Sequence, residues 1–93
     1  MLRYFATRPY SFMYRYPLID LAATGRNIEA LRREAGLSVR ALQEAFGFSS
    51  PQAIYKWQRG QALPTLDNMT VLSRLLHRSI EEILVLEETE EEL

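Results

Sequence analysis

Through the middle of this chain, apolar residues recur every three or four positions, and glycines cut the recurrence into short segments. That spacing is the period of an amphipathic helix. After Thr24, a residue suited to an N-cap, Ile28, Leu31 and Ala35 follow at helical intervals until Gly36 stops them. Ser38 then precedes a segment with Leu42 and Phe46 on one side, ended by Gly47. Ser50 caps a third, with Pro51 at the first helical position, where a missing N–H costs nothing; Gly60 closes it. Pro64 and Thr65 introduce a fourth, with Leu66, Met69, Leu72 and Leu76 expected inward. Ser79 caps a short fifth carrying Ile80, Ile83 and Leu84. Nothing between these segments alternates strongly enough to predict a sheet, and no internal repeat is present. The one period-two stretch is "YSFMYRY", residues 10–16, which predicts a short strand or an extended arm lying over the helical core. The expected organisation is therefore all-α: an aromatic arm over residues 1–23, partly disordered, a five-helix domain over 24–86, and an acidic flexible tail over 87–93.

Composition adds limits. Ninety-three residues, 47% hydrophobic and 25% charged, make one small globular domain. The absence of cysteine excludes a disulfide framework and a thiolate metal site, so one packed core must hold the fold. No apolar run is long enough to span a membrane. Arg3, Arg8 and Arg15 without an acid in the first nineteen residues are a weak echo of a transit peptide, but serine richness and a helical apolar stripe are missing. The formal net charge of −1 conceals an asymmetry: residues 1–86 hold 11 basic and 7 acidic groups, and Glu87, Glu88, Glu90, Glu91 and Glu92 supply the balance. A mildly basic body can approach a polyanion.

The candidate chemistry sits in "SSPQAIYKWQRG", residues 49–60. On a helix at about 100° per residue, with Ile54 set to the core, Trp57 falls about 60° away and Gln58 about 40° away. Gln52, Lys56 and Arg59 fall on the opposite side, flanked by Tyr55. This outward stripe carries hydrogen-bond donors, an amide able to pair bidentately with adenine, and no acid, which suits the major groove. Taken alone, it is equally an ordinary solvated face. The context tips the balance: a helix of about eight residues, a tight "GFSS" turn and a second capped helix form a helix-turn-helix, whose second helix enters the groove.

From about Thr24 to Leu84, "LRREAGLSVRALQEAFGFSSPQAIYKWQRGQALPTLDNMTVLSRLLHRSIEEIL" and its flanks resemble the lambda-repressor-like, Cro/CI-type helix-turn-helix domain, the XRE family. The resemblance is carried by "GLS" before the second helix, "GFSS" at the turn, "W-x-R-G" closing the third, "LP" and "L-x-x-M" at the fourth, and "SIEEIL" in the fifth. It implies five helices and sequence-specific binding of double-stranded DNA, usually as a homodimer. It carries base reading to Gln52 and Lys56 with Tyr55 beside them. It carries phosphate contacts to Ser38 and Arg40, to Ser49 and Ser50, and to Arg59 and Gln61. There are departures. Pro51 stands where many members place a polar reader, and the turn from Gly47 is one residue longer than the commonest form. Gln58 stands where many members have a glutamate paired with an arginine matching Arg32. His77 and Arg78 replace a frequent glycine and apolar residue.

An enzyme is not indicated. The chain has one histidine, no glycine-rich phosphate loop and no convergent acid pair outside the tail; Glu81 and Glu82 read as solvated neighbours. A lone His77 at a helix end is a cap rather than a metal ligand or catalyst, so no metal and no cofactor are expected. The rival reading is a protein-interaction module such as an antitoxin or adaptor. It rests on Val71 and Leu75, an apolar pair outside the core stripe, with Val85 and Leu86, as a dimer seam or partner patch. DNA binding is favoured because the readout helix carries no acid, and a cytoplasmic location without membrane contact follows.

Overall fold

A computed structural model describes residues 18–87; the "YSFMYRY" stretch and most of the acidic tail lie outside the described residues. Five helices follow in order: α1 (Leu21–Glu34), α2 (Val39–Phe46), α3 (Gln52–Gln58), α4 (Leu66–Leu76) and α5 (Ile80–Ile83). Among the described residues the only β pairing is an isolated antiparallel bridge between Ile19 and Leu86. It ties the segment entering α1 to the segment leaving α5, with Asp20 N donating to Val85 O at 2.8 Å and Glu87 N to Leu18 O at 2.7 Å.

The core is Ile28, Leu42, Ile54, Trp57, Met69, Leu72, Leu76 and Ile83, with every helix contributing. Fully burying one such side chain is worth roughly 1.5–3 kcal/mol, so eight of them drive the packing that helices this short cannot supply alone. Leu66 departs from expectation. It opens α4 and is 74% exposed, because the core contacts of that helix begin one turn later, at Met69. Leu75 is half-buried and packs against the core, so it does not pair with exposed Val71 as a free apolar patch.

The helix ends are set by local chemistry. Ser38, Thr65 and Ser79 each accept a hydrogen bond from a first-turn amide as N-caps. Ser79 completes a capping box with Glu82. Thr24 is not the cap of α1. Asp20 is, accepting from Ala23 N at 2.9 Å, and the helix starts four residues earlier than the propensity reading places it. Thr24 is instead fully buried: its hydroxyl accepts from Val85 N at 2.9 Å and faces Val85 O at 3.3 Å. One turn on, Asn27 donates to the carbonyls of Glu82 and Ile83. These bonds hold the end of α5 against α1.

Candidate nucleic-acid interface

The placement of α3 begins with the turn before it. Gly47 takes the left-handed conformation (φ 74°) and closes α2 with paired bonds from Gly47 N to Glu44 O and Phe48 N to Gln43 O. This is a Schellman end, and its left-handed residue favours glycine. The chain then turns through Phe48, Ser49 and Ser50 into α3. Pro51 stands at the N-cap rather than inside the first turn, and it offers no side-chain cap; the Ser50 hydroxyl lies 3.4 Å from Gln52 N. Three aromatic rings brace the turn. Phe46 stacks on Phe48 with centroids 5.0 Å apart, and both meet Trp57 edge-on at 5.5 and 6.0 Å. The last residue of α2, the turn and α3 are thus packed together through these rings. Phe48 is a positioning residue that periodicity does not reveal, since it lies between helices; its one sequence signal is an aromatic placed directly after the helix-ending glycine.

The other brace is α1. A Cβ placed on Gly25 would lie 2.3 Å from Trp57 O and 2.6 Å from Gln58 O. Only a glycine lets the backbones of α1 and α3 approach so closely. Nearby, buried Arg32 donates from Nε to the Gln58 side-chain oxygen at 3.0 Å and from Nη1 to Leu37 O at 2.8 Å. The Arg32–Gln58 contact that the resemblance implies is therefore present, as a cation on a neutral amide.

With Ile54 fully buried and Trp57 at 4% exposure, α3 has its apolar side inward. Gln52, Tyr55, Lys56 and Arg59 are all exposed, the arrangement the helical wheel predicts. Arg59 lies over the Tyr55 ring, its guanidinium carbon 5.5 Å from the centroid. Ser38, Arg40, Ser49, Ser50 and Gln61 are also exposed. Ser38 caps α2 by accepting from Ala41 N, which leaves its O–H free to donate outward. Gly60 (φ 75°) ends α3 and sends Gln61 on through a bond from Gln61 N to Lys56 O.

Charge is distributed unevenly over this surface. Among the described residues, Arg33, Arg40 and Arg78 are in ion pairs with Glu29, Glu44 and Glu34. No such pair involves Lys56 or Arg59, and α3 contains no acid. The Arg40–Glu44 pair, at 3.4 Å and well exposed, is weak and can open for another anion. His77 is exposed, ends α4 in the left-handed conformation (φ 57°), and so occupies a backbone site that favours glycine. Among the described residues, no group of acids and histidines is placed to hold a metal ion, and no helix is long and apolar enough to cross a membrane.

Comparison with known proteins extends this geometry. A family model described as Helix-turn-helix matches residues 28–83. Among solved structures, the restriction-modification controller protein C.AhdI from Aeromonas hydrophila superposes with a TM-score of 0.61 at 28% identity, over 69% of this chain and 96% of that one. The DNA-binding domain of BldD superposes at 0.59 with 20% identity, over 70% of this chain and 93% of its own. The clp gene regulator ClgR from C. glutamicum does so at 0.58 with 22% identity, over 67% and 79%. These last two bear on the fold alone. No curated protein matches the chain.

Proposed function

The chain belongs to the helix-turn-helix family, a DNA-binding transcription regulator by that membership, and on this premise we propose that α3 reads base edges in the major groove of double-stranded DNA. The observation that carries this reading is the outward face of α3: four exposed polar or basic side chains, no acid, on a helix braced by Phe46, Phe48 and Gly25. Preorganisation matters because a bidentate base contact tolerates little angular error. Gln52, one turn before Lys56 and at the start of the helix, is the main base reader; its amide can donate to and accept from one adenine edge, worth about 1–3 kcal/mol of discrimination. Lys56 is the second reader, and Tyr55 stands beside both on the same exposed face. Ser38 and Arg40 at the start of α2, Ser49 and Ser50 in the turn, and Arg59 and Gln61 after α3 hold phosphates.

One reading helix per chain sees too few bases to select a genomic site. The active species is therefore a homodimer on a pseudo-palindrome, with half-sites about 10 base pairs apart, meeting through α5 and the adjoining segments. The protein works in the cytoplasm as a regulator without an enzymatic step of its own.

Selection of bound duplexes from a random library at stated salt tests the reading. Enrichment of one two-fold motif supports it, and Gln52→Ala should then relax preference at one position per half-site. No enrichment at low salt points instead to a protein partner, and an unaltered motif with Gln52→Ala rejects the assigned reader. Scattering that finds a monomer on a single, unrepeated footprint rejects the dimer.

A further inference from the structure

Four of the described arginines make one of two kinds of side-chain contact at the surface. Arg33, Arg40 and Arg78 lie against glutamates, which offset their charge. Arg59 lies against an aromatic ring, which does not: its guanidinium carbon is 5.5 Å from the Tyr55 centroid, one helical turn back. The local backbone fixes this pairing. Arg59 is the C-cap of α3, its N–H bonded to Tyr55 O at 2.9 Å, so the two side chains leave the same edge of the helix. Gly60 then turns the chain in the left-handed conformation, and both side chains are exposed. Tyr55 is 38% exposed, so part of its surface remains in contact with the protein while its ring supports Arg59.

We propose that Tyr55 acts as a positioning residue for Arg59: its ring holds the guanidinium by one face, so that the N–H groups stand ready for a phosphate beside α3. This rests on the DNA-binding reading and deepens it, because it routes the contribution of Tyr55 through Arg59 rather than through a contact of its own with sugar or base. The chemistry is specific to arginine. A guanidinium is planar, attracts a ring through its face, and keeps its donors in its edges, so stacking and bidentate phosphate binding do not compete. An ion pair would consume the same edges. A free arginine stem would have to be ordered on binding, and the ring contact does part of that ordering beforehand.

The test is a double-mutant cycle on the full chain, read as affinity for a mixed-sequence duplex at several salt concentrations, with melting curves to confirm that each variant is folded. Tyr55→Ala should weaken binding about two- to five-fold, the strength of an exposed cation–π contact. Tyr55→Phe, which keeps the ring and loses the hydroxyl, should restore it. Arg59→Ala should weaken binding further and flatten the salt slope by about one. Adding Tyr55→Ala to Arg59→Ala should then cost nothing more. In the free protein, the Arg59 side-chain protons should be shielded by the ring in NMR spectra, and Tyr55→Ala should abolish the shift. Full additivity of the two variants, a Tyr55→Phe as weak as Tyr55→Ala, or absent shielding overturns the proposal while leaving DNA binding intact. A wild-type chain without affinity for any duplex at low salt overturns both.

Discussion

Replacing Gly25 by alanine sets two effects of opposite sign against each other. Gly25 lies inside α1, and on helix propensity alone alanine there should stabilise by about 1 kcal/mol. The tertiary structure opposes this. The new methyl carbon would sit 2.3 Å from Trp57 O, 2.6 Å from Gln58 O and 2.8 Å from Gln58 C. All three are backbone atoms of α3 and cannot swing aside as a side chain would. Reaching ordinary contact at 3.4 Å requires the two helices to separate by roughly an ångström, against the packing of Ile28, Ile54 and Trp57 between them. Overpacking of this kind costs about 1–3 kcal/mol or more, and a clash with immobile backbone belongs at the upper end. The net expectation is a loss of about 2 kcal/mol, which for a domain this size lowers Tm by roughly 8–16 °C. Thermal and urea unfolding followed by circular dichroism measure it. Because α3 itself must move, Gly25→Ala should also weaken DNA binding at temperatures where the variant is still folded. A Gly25→Ala protein as stable as the parent, or more so, would show that the α1–α3 approach is looser than described and that helix propensity decides this position.

Trp57→Ala removes the ring that Phe46 and Phe48 meet edge-on and should cost about 3–5 kcal/mol, most of the stability of a small domain; a cooperatively melting Trp57→Ala chain would refute the assigned inward face of α3. His77→Gly should raise Tm by several degrees, since it relieves a left-handed backbone that costs a non-glycine residue about 1 kcal/mol; an unchanged or lower Tm would mean that the imidazole itself supports the end of α4. Arg40→Ala should weaken all duplexes about equally and flatten the slope of log affinity against log salt by roughly one, with little effect on folding because its bond to Glu44 is exposed; unchanged affinity and slope would remove Arg40 from the phosphate contacts.

What the sequence determined by itself is the part of the protein governed by near neighbours. The caps Ser38, Thr65 and Ser79, the stops Gly36, Gly47 and Gly60, and the inward line of Ile28, Leu42, Ile54, Trp57, Leu72 and Ile83 follow from hydrogen-bonding capacity and from the 3.6-residue period. The exposed face of α3 follows from the same arithmetic, because fixing one side of a short helix fixes the other. What only the tertiary structure decided are the positions whose partners lie far along the chain. Thr24 is a good cap by its own chemistry, yet Val85, sixty-one residues away, claims its hydroxyl and leaves the cap to Asp20. Leu66 fits the apolar stripe of α4 but starts a turn before that helix reaches the core. Gly25 looks like a weak point in a helix until α3 is laid across it, and Phe48 looks like a loop residue until Phe46 and Trp57 close around it. Local periodicity states which side of each helix is apolar; it says nothing about which backbone will press against it, because that is settled by how five short helices share one core.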